Sequence, residues 1–219
     1  MNLKERYWDF VAFRGEMRGF LPVLIVKDNR SNWVKNPTTR IIAQKLNKSS
    51  LILDIGAGDK RLKTILEDVF QKKLKNYFSL DIDKKYSHDY KDIDEVQGKF
   101  DAIFLMEFLE HIHLEDGLRI LGKAYSLLKI GGYIFISTPN IDHANQLWRG
   151  DITHIQQWPR RDLYAIIRLI GFRKIEGYRI FLAPTKINLK KAYKFFLKKI
   201  LCRILDIDYA HGIFFIGQK

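Results

Sequence analysis

A glycine-containing loop is the first feature of the sequence with the residue types of a ligand site. Gly56-Ala57-Gly58 follows an apolar run that ends at Ile55 and precedes a helix-like segment. In such a turn the glycines let the backbone approach a ligand closely, and the helix N-terminus offers unpaired N–H groups. Asp81 closes the next apolar run, at about the 20-residue offset of a carboxylate that binds ribose hydroxyls. This spacing predicts a nucleoside site, with Asp83 as a competitor for the ribose and a turn without a ligand as the alternative.

The residues around this loop favour a cationic ligand over a dinucleotide. A dinucleotide loop has a third glycine at the position where this chain has Arg61. Asp54 precedes the first glycine by two residues, and its carboxylate would repel a pyrophosphate. S-adenosylmethionine carries a sulfonium and an amino-acid tail, so it suits this carboxylate. The residues therefore favour a cationic or zwitterionic ligand, of which S-adenosylmethionine is one example.

Apolar runs alternate with helix-like segments from Leu51 to Glu176, and this alternation predicts a doubly wound α/β fold. The runs show no regular polar alternation, which is typical of parallel strands buried on both faces. The predicted strands are residues 51–55, 77–80, 100–105 and 133–137, followed by 178–182 and 212–216. The predicted helices are residues 61–73, 109–128 and 160–170.

Taken together, four motifs resemble those of class I S-adenosylmethionine-dependent methyltransferases of the small-molecule type. They are LILDIGAG (51–58), LDID (80–83), FDAIFLMEFLEHI (100–112) and LKIGGYIFISTPN (128–140). The similarity covers roughly residues 40–180, in the family's order and spacing. The resemblance implies a Rossmann-like sheet of seven strands in the order 3-2-1-4-5-7-6. Such a sheet is mostly parallel, with an antiparallel last strand.

The resemblance also implies which residues bind the cofactor. They are Asp54, Gly56, Ala57, Gly58, Asp81, Ile82, Asp92, Ile93, Met106 and Glu107. In this scheme the glycines contact the methionine part, Asp81 binds the ribose, and Asp92 or Ile93 lies beside the adenine. A solvated loop acid is the alternative for Asp92, and core packing is the alternative for Met106. The family often has a third glycine where this chain has Lys60, which could pair with the cofactor carboxylate.

Methyl transfer to an oxygen also requires removal of a proton, and three histidines are candidates for the general base. His154 ranks first because its segment resembles the Thr-His turn that lines the family's acceptor pocket. His143 ranks second because it follows the fifth strand on the substrate side. His111 follows Glu110, which could stabilise its charged form. For each histidine the alternative is a structural hydrogen bond that holds a loop or caps a helix.

The sequence predicts no metal site. Cys202 is the only cysteine, so a zinc site built from cysteines and an intrachain disulfide are both excluded. One run has the residue types of a metal cluster, namely Glu110, His111, His113, Glu115 and Asp116. Residues two apart lie on different faces of a helix, so this run is not expected to share a metal ion.

A basic amphipathic helix is predicted over residues 187–205. Its apolar stripe consists of Leu189, Tyr193, Phe196, Leu197, Ile200, Leu201, Ile204 and Leu205. Its basic residues are Lys186, Lys190, Lys191, Lys194, Lys198, Lys199 and Arg203. One interpretation is an insertion between the last two strands that packs its stripe on the domain as a lid. The other is a helix that contacts an anionic membrane or a partner, and the two are compatible.

The net charge of +13 predicts an anionic partner or a soluble basic surface. We expect a 1–47 N-terminal cap and a 48–219 methyltransferase domain, with residues 185–208 as the inserted basic helix. The expected acceptor is a small molecule, a glycan or a lipid-linked intermediate, methylated at oxygen. A tRNA or rRNA methyltransferase is the first alternative, and a non-catalytic binding module is the second. The start of the sequence lacks the apolar core of a secretion signal, so we expect a cytoplasmic protein, peripheral at most to the inner face of the membrane.

Overall fold

Seven strands form one mixed sheet in the computed structural model, which describes residues 3–17, 21–27, 35–183, 189–205 and 207–219. The strands are β1 (Val23–Lys27), β2 (Ile52–Ile55), β3 (Tyr77–Leu80), β4 (Phe100–Met106), β5 (Leu128–Pro139), β6 (Lys174–Ala183) and β7 (Gly212–Gln218). The helices are α1 (Tyr7–Glu16), α2 (Pro37–Lys45), α3 (Arg61–Phe70), α4 (Leu114–Leu127), α5 (Arg160–Ile170) and α6 (Leu189–Ile204). Short 3₁₀ turns cover Ile93–Glu95, Leu109–His111 and Leu147–Gly150.

The α/β fold and its mostly parallel sheet are confirmed. Strands β2, β3, β4 and β5 pair in parallel, whereas β7 runs antiparallel between β5 and β6. The central strands carry the core, and the rings of Phe104 and Phe135 stack on neighbouring strands with centroids 4.6 Å apart. Burial on both faces explains why these strands read as continuous apolar runs.

The order of the strands differs from the expected 3-2-1-4-5-7-6. The observed order is β1-β6-β7-β5-β4-β2-β3, so a strand from the N-terminal segment forms one edge beside β6. At the other edge the family's third strand is replaced by a single bridge, Leu80 to Tyr90, and the turn Ile93–Glu95. The physical reason lies in composition. Residues 84–95 are mostly charged and have no apolar run to bury, whereas Val23–Lys27 reads VLIVK.

The sequence predicts one continuous helix over residues 109–128, and the structure differs from this prediction. A 3₁₀ turn covers Leu109–His111, and α4 begins only at Leu114. The buried indole N–H of Trp158 donates to the carbonyl of Leu109 at 2.8 Å and holds this turn in place. Glu110 and His111 therefore lie in a tight turn beside the carboxyl end of β4.

The basic helix forms as α6, but most of its predicted apolar stripe is exposed, and only Ile200 and Leu201 of the stripe are half-buried. Leu189, Tyr193 and Phe196 are 93%, 66% and 62% exposed. Phe195, which is outside the predicted stripe, contacts the domain instead. The interpretation of α6 as a lid packed through this stripe is therefore wrong. In the described part of the chain, none of the helices has both the length and the apolar composition of a membrane-spanning segment.

Candidate functional site

The glycine loop joins β2 to α3 in a backbone conformation that favours glycine. Gly56 and Gly58 have φ values of +74° and +47°. A Cβ at Gly56 would lie 2.4 Å from Cδ2 of Phe108, so this position has no room for a side chain. A Cβ at Gly58 would have no atom within 4 Å. The loop is thus closed on the Phe108 side and open above Gly58, where a ligand can approach the backbone.

Asp81 is fixed at the end of β3 by the same loop. Its Oδ2 accepts the backbone N–H of Gly58 at 2.8 Å, and its Oδ1 accepts that of Asp83 at 2.9 Å. An ionised carboxylate has about four lone-pair sites, so these two bonds orient the group and leave sites for hydroxyl donors. Asp83 contributes its backbone to this arrangement, and its side chain accepts the N–H of Lys85.

Asp54 lies under the glycine loop and is 3% exposed. The pKa of its carboxyl is raised to about 7, mainly by burial. A hydrogen bond from the Tyr77 hydroxyl lowers this pKa, whereas the negative charge of Asp81 raises it. Burial also raises the pKa of Tyr77, with Asp54 beside it, so the phenol keeps its proton. Asp54 can therefore change its charge near neutral pH when a cation binds beside it.

A cleft of about 650 Å³ opens beside this loop at the carboxyl ends of the central strands. Six of the predicted cofactor residues line it, namely Asp54, Gly56, Ala57, Gly58, Met106 and Glu107. The structure adds a wall from the N-terminal segment that the sequence reasoning missed, formed by Val26, Thr38, Thr39 and Ile42. For Val26 the signal is the apolar run VLIVK, which marks a strand of the same sheet, whereas the other three residues lie in α2.

The remaining predicted cofactor residues lie outside the lining of this cleft. Ile82 is 81% exposed, and Ile93 is buried at 2% in the core. Asp92 caps the turn Ile93–Glu95 by accepting the N–H of Asp94 at 2.9 Å, and its carboxylate lies 3.5 Å from Arg119. The structure therefore gives Asp92 a capping contact at the protein surface.

A second polar group lies where β4 and β5 end. The imidazole rings of His111 and His154 have centroids 5.0 Å apart. The carbonyl of Glu110 accepts the N–H groups of Ile155 and Gln156 at 2.9 and 3.1 Å. These bonds tie the loop after β5 to the turn after β4, and so hold the two histidines together.

The tautomer of each histidine follows from its Nδ1 contact. His111 Nδ1 lies 3.1 Å from the carbonyl of Thr153, and His154 Nδ1 lies 3.1 Å from that of Trp148. A carbonyl only accepts hydrogen bonds, so each Nδ1 carries the proton and each Nε2 keeps a free lone pair in the neutral ring. Both Nε2 atoms are thereby available as bases or ligands.

Glu110 completes this group, and its carboxylate is buried. The residue is fully buried, its side chain is 1% exposed, and its Oε1 lies 4.0 Å from Nε2 of His111. Burial raises the pKa of Glu110, and the nearby charge of Glu107 raises it further. Desolvation likewise raises the pKa of Glu107, although hydrogen bonding to Ser137 and the two histidines oppose it. We call Glu110, His111 and His154 the Glu-His cluster. Glu107 is not part of this cluster, but it lines the cleft and so connects the cleft to the cluster.

The Glu-His cluster also has the ligand types of a cation site. Among the described residues, the ligand atoms of Glu110, His111 and His154 lie within 4.8 Å of one another. Imidazole nitrogen and carboxylate oxygen suit divalent transition-metal ions. This set differs from the run considered from the sequence, because His154 comes from the loop after β5. The missed signal is that neighbouring parallel strands bring the residues after their carboxyl ends together.

His143 lies apart from this cluster. It is 2% exposed, its Nδ1 accepts the backbone N–H of Asn145 at 3.0 Å, and its ring lies edge-on to Tyr209. Burial lowers the pKa of His143, and the positive charge of Lys198 lowers it further. These contacts hold the loop after β5. The cleft lining includes neither His143 nor the residues of the Glu-His cluster, which adjoin the cleft through Glu107.

Comparison with known proteins decides the family. A family model described as a methyltransferase domain matches residues 29–176, more than half of the chain. The chain belongs to the S-adenosylmethionine-dependent methyltransferases. A comparison with curated proteins finds no match.

Solved methyltransferases share the fold of this methyltransferase. A S-adenosylmethionine-dependent methyltransferase from Archaeoglobus fulgidus is similar with a TM-score of 0.66 and 19% identity, over 96% of this chain and 99% of that one. One from Mesorhizobium loti has a TM-score of 0.58 and 13% identity, over 87% and 100% of the two chains. Phosphoethanolamine N-methyltransferase 2 of Haemonchus contortus, in complex with S-adenosyl-L-methionine, has a TM-score of 0.53 and 15% identity. This similarity covers 87% of this chain and 56% of that one.

The loop of this methyltransferase fits S-adenosylmethionine. The open space above Gly58 accepts a ligand against the backbone, and Asp81 is oriented beside it. The buried carboxyl of Asp54 lines the same cleft and gains from a cationic neighbour. Bound there, the cofactor supplies a methyl group that is already activated by the sulfonium.

Proposed function

We propose that this methyltransferase methylates an oxygen of a small-molecule, glycan or lipid-linked acceptor, with His154 as the general base. The observation that carries the proposal is the Glu-His cluster, which interacts with Glu107, a residue of the cleft lining. A hydroxyl must lose its proton as it attacks the methyl group, and an imidazole with a free Nε2 can take that proton. An activated donor otherwise requires mainly proximity and alignment from the enzyme.

The contacts of His154 support the role of a base. Its Nδ1 proton is directed to the carbonyl of Trp148, which leaves Nε2 as the proton acceptor. Oδ2 of Asp151 lies 3.8 Å from that Nε2. Two hydrogen bonds from Thr153 hold Asp151, and they lower the pKa of its carboxyl. An ionised Asp151 stabilises the imidazolium that forms when His154 takes a proton.

Glu110 and His111 act in this proposal as positioning residues. Glu110 holds the loop of His154 through its own carbonyl, and His111 lies against the His154 ring. In the same scheme Gly58 and Asp81 bind the donor, and Asp54 lies beside its cationic end. In this scheme the ribose and adenine lie near Ile82, Asp92 and Ile93. These three residues are outside the lining of the cleft.

The experiment is a methyl-transfer assay with labelled S-adenosylmethionine and three acceptor panels: hydroxyl-bearing lipids and glycans, small amines, and RNA. The amines are included because one structural neighbour is named as a phosphoethanolamine N-methyltransferase. Label on a hydroxyl, lost on His154→Gln and retained on His143→Gln, supports the proposal. Label only on amines would replace oxygen by nitrogen as the acceptor, and label only on RNA would favour the nucleic-acid alternative.

A further inference from the structure

The outward face of α6 is apolar and open to solvent. Its exposed residues are Leu189, Tyr193, Phe196, Leu197 and Ile204, which are 93%, 66%, 62%, 40% and 70% exposed. At about 100° per residue these five positions fall within one arc of the helix surface. We call this arc the outer apolar face. A contiguous apolar patch of this kind is typical of a surface that binds a partner or a membrane.

The opposite side of α6 holds the helix on the domain. Phe195 packs edge-on against Phe181, with ring centroids 6.0 Å apart. The ammonium of Lys198 lies 5.1 Å from the centroid of the Tyr209 ring, within the range of a cation–π contact. Both residues fall opposite the outer apolar face on the helical projection. The orientation of the helix therefore directs its apolar side away from the protein.

Lysines border the outer apolar face on both sides. Lys190 and Lys194 follow one edge of the arc and Lys199 the other, and all three are exposed. The sequence has no acidic residue from position 189 to position 205. Long lysine side chains beside an apolar arc let the arc enter lipid while the ammonium groups stay at the headgroups. This distribution of charge and apolar area is typical of helices that lie in a membrane interface.

The position of α6 relates this face to the cleft. The helix lies between β6 and β7, and so at the carboxyl edge of the parallel strands. Leu182 at the end of β6 and Gly212 at the start of β7 both line the cleft. A surface bound by α6 would therefore lie near the opening of the cleft.

We propose that the outer apolar face of α6, with its bordering lysines, docks on the surface of an anionic phospholipid bilayer. The exposed side chains enter the interface between headgroups and acyl chains, and the lysines lie against the lipid phosphates. Charge complementarity selects this occupant, because the helix carries only positive charges around its apolar arc. The inference does not depend on which atom the methyltransferase methylates.

The first experiment is co-sedimentation of the full chain with vesicles of one part phosphatidylglycerol to two parts phosphatidylcholine. Vesicles of phosphatidylcholine alone are the comparison, at about 50 mM and about 500 mM salt. We expect binding to the anionic vesicles at low salt and much weaker binding to the neutral ones. Failure to bind the anionic vesicles at low salt would overturn the proposal.

The charge arm reverses Lys190, Lys194 and Lys199 to Glu together. We expect the affinity for anionic vesicles to fall by roughly a hundredfold, given the attraction of each lysine near such a surface. The matched control reverses the exposed Lys48, Lys72 and Lys75, which precede β2 and β3 at the opposite edge of the sheet. The two variants have the same net charge, so equal losses would show a general charge effect and contradict docking by α6.

The apolar arm replaces Leu189 and Phe196 by Ser, and its control replaces Ile130, which is 95% exposed at the start of β5. We expect the α6 variant to lose at least tenfold in vesicle affinity and the Ile130→Ser variant to match the wild type. Unchanged melting temperature and affinity for S-adenosylhomocysteine show that the variants are folded. Vesicle binding that is unchanged in the Leu189 and Phe196 variant would show a purely electrostatic contact and contradict docking through the apolar face. Displacement of the vesicles by a short RNA at equal charge concentration would assign α6 to an RNA partner instead.

Discussion

The imidazole rings of His111 and His154 lie 5.0 Å apart, although one follows β4 and the other follows β5. Each ring directs its Nδ1 to a backbone carbonyl at 3.1 Å. The protein thus positions two free Nε2 atoms next to the buried carboxyl of Glu110. Such a group at the carboxyl edge of a parallel sheet is suited to act on a bound acceptor.

Replacing His154 by Ala should lower turnover far more than it weakens cofactor binding. Loss of a general base typically reduces the rate by about 10²–10⁴-fold. His154 is not in the glycine loop, so the affinity for S-adenosylhomocysteine should stay close to that of the wild type. Turnover with the true acceptor and titration calorimetry measure the two quantities. His143→Ala is the control, and an unchanged rate in His154→Ala would show that the histidine only holds its loop.

Much of the fold could be predicted because buried strands and amphipathic helices leave local patterns. The run FDAIFL marks β4, and the α5 helix has the predicted bounds Arg160–Ile170. The edges of the sheet could not be predicted in the same way. The strand β1 is only five residues long, and its partner β6 lies far along the chain, so its pairing depends on tertiary contacts.

The arrangement of the candidate site can be predicted where it depends on one loop, and not where it depends on contacts between loops. The glycine loop and Asp81 are joined by a hydrogen bond over a short stretch of chain. The Glu-His cluster requires the 3₁₀ turn Leu109–His111, which the helical periodicity around it conceals. The direction of the α6 stripe was also missed, because a hydrophobic periodicity shows which residues share a face but not what that face contacts.

Substitutions at the two glycines of the loop should separate loss of cofactor binding from loss of folding. Gly58→Val adds a side chain where a Cβ would meet no protein atom, so it should block the ligand while keeping most of the fold. The positive φ of Gly58 adds a strain of about 1 kcal/mol. Gly56→Val should instead destabilise the domain, since its Cβ would clash with Phe108. Thermal melts and calorimetry with S-adenosylhomocysteine compare the two, and normal binding to Gly58→Val would place the cofactor elsewhere.

Asp81→Ala should weaken cofactor binding without affecting the chemistry of the acceptor. The carboxylate is held by the N–H groups of Gly58 and Asp83, and hydrogen bonds to a charged acceptor contribute about 1.5–3 kcal/mol. We expect the Kd for S-adenosylhomocysteine to rise by one to two orders of magnitude, as roughly 1.4 kcal/mol corresponds to tenfold. Asp83→Ala is the matched control, because only its backbone contacts Asp81. A larger loss in Asp83→Ala would exchange the roles of the two residues.

Cofactor affinity should rise with pH around neutrality because of Asp54. Burial raises the pKa of this carboxyl to about 7, so at pH 6 it is mostly protonated and cannot attract the ammonium of the ligand. At pH 7.5 it is mostly ionised, and binding no longer includes the cost of losing that proton. We expect roughly tenfold tighter binding of S-adenosylhomocysteine across this range, and a flat profile in Asp54→Asn. Calorimetry at both pH values tests this, and a profile that is equally steep in Asp54→Asn would assign it to another group.

Glu110→Gln should make the folded protein less sensitive to rising pH. Burial raises the pKa of Glu110 to about 8 in the folded state, whereas its ordinary value is 4.5. Between these two values the unfolded chain has released the proton and the folded chain keeps it, so stability falls as pH rises from 4.5 towards 8. Gln has no proton to release, so its melting temperature should exceed that of the wild type at pH 7.5 by roughly 5 °C, and the two should converge at pH 5. The comparison requires melts at both pH values, with and without Mn²⁺. The contrary outcome is that Mn²⁺ raises the melting temperature of the wild type at pH 7.5 but not that of Glu110→Gln. This result would show that a bound cation rather than a proton neutralises the Glu110 carboxyl.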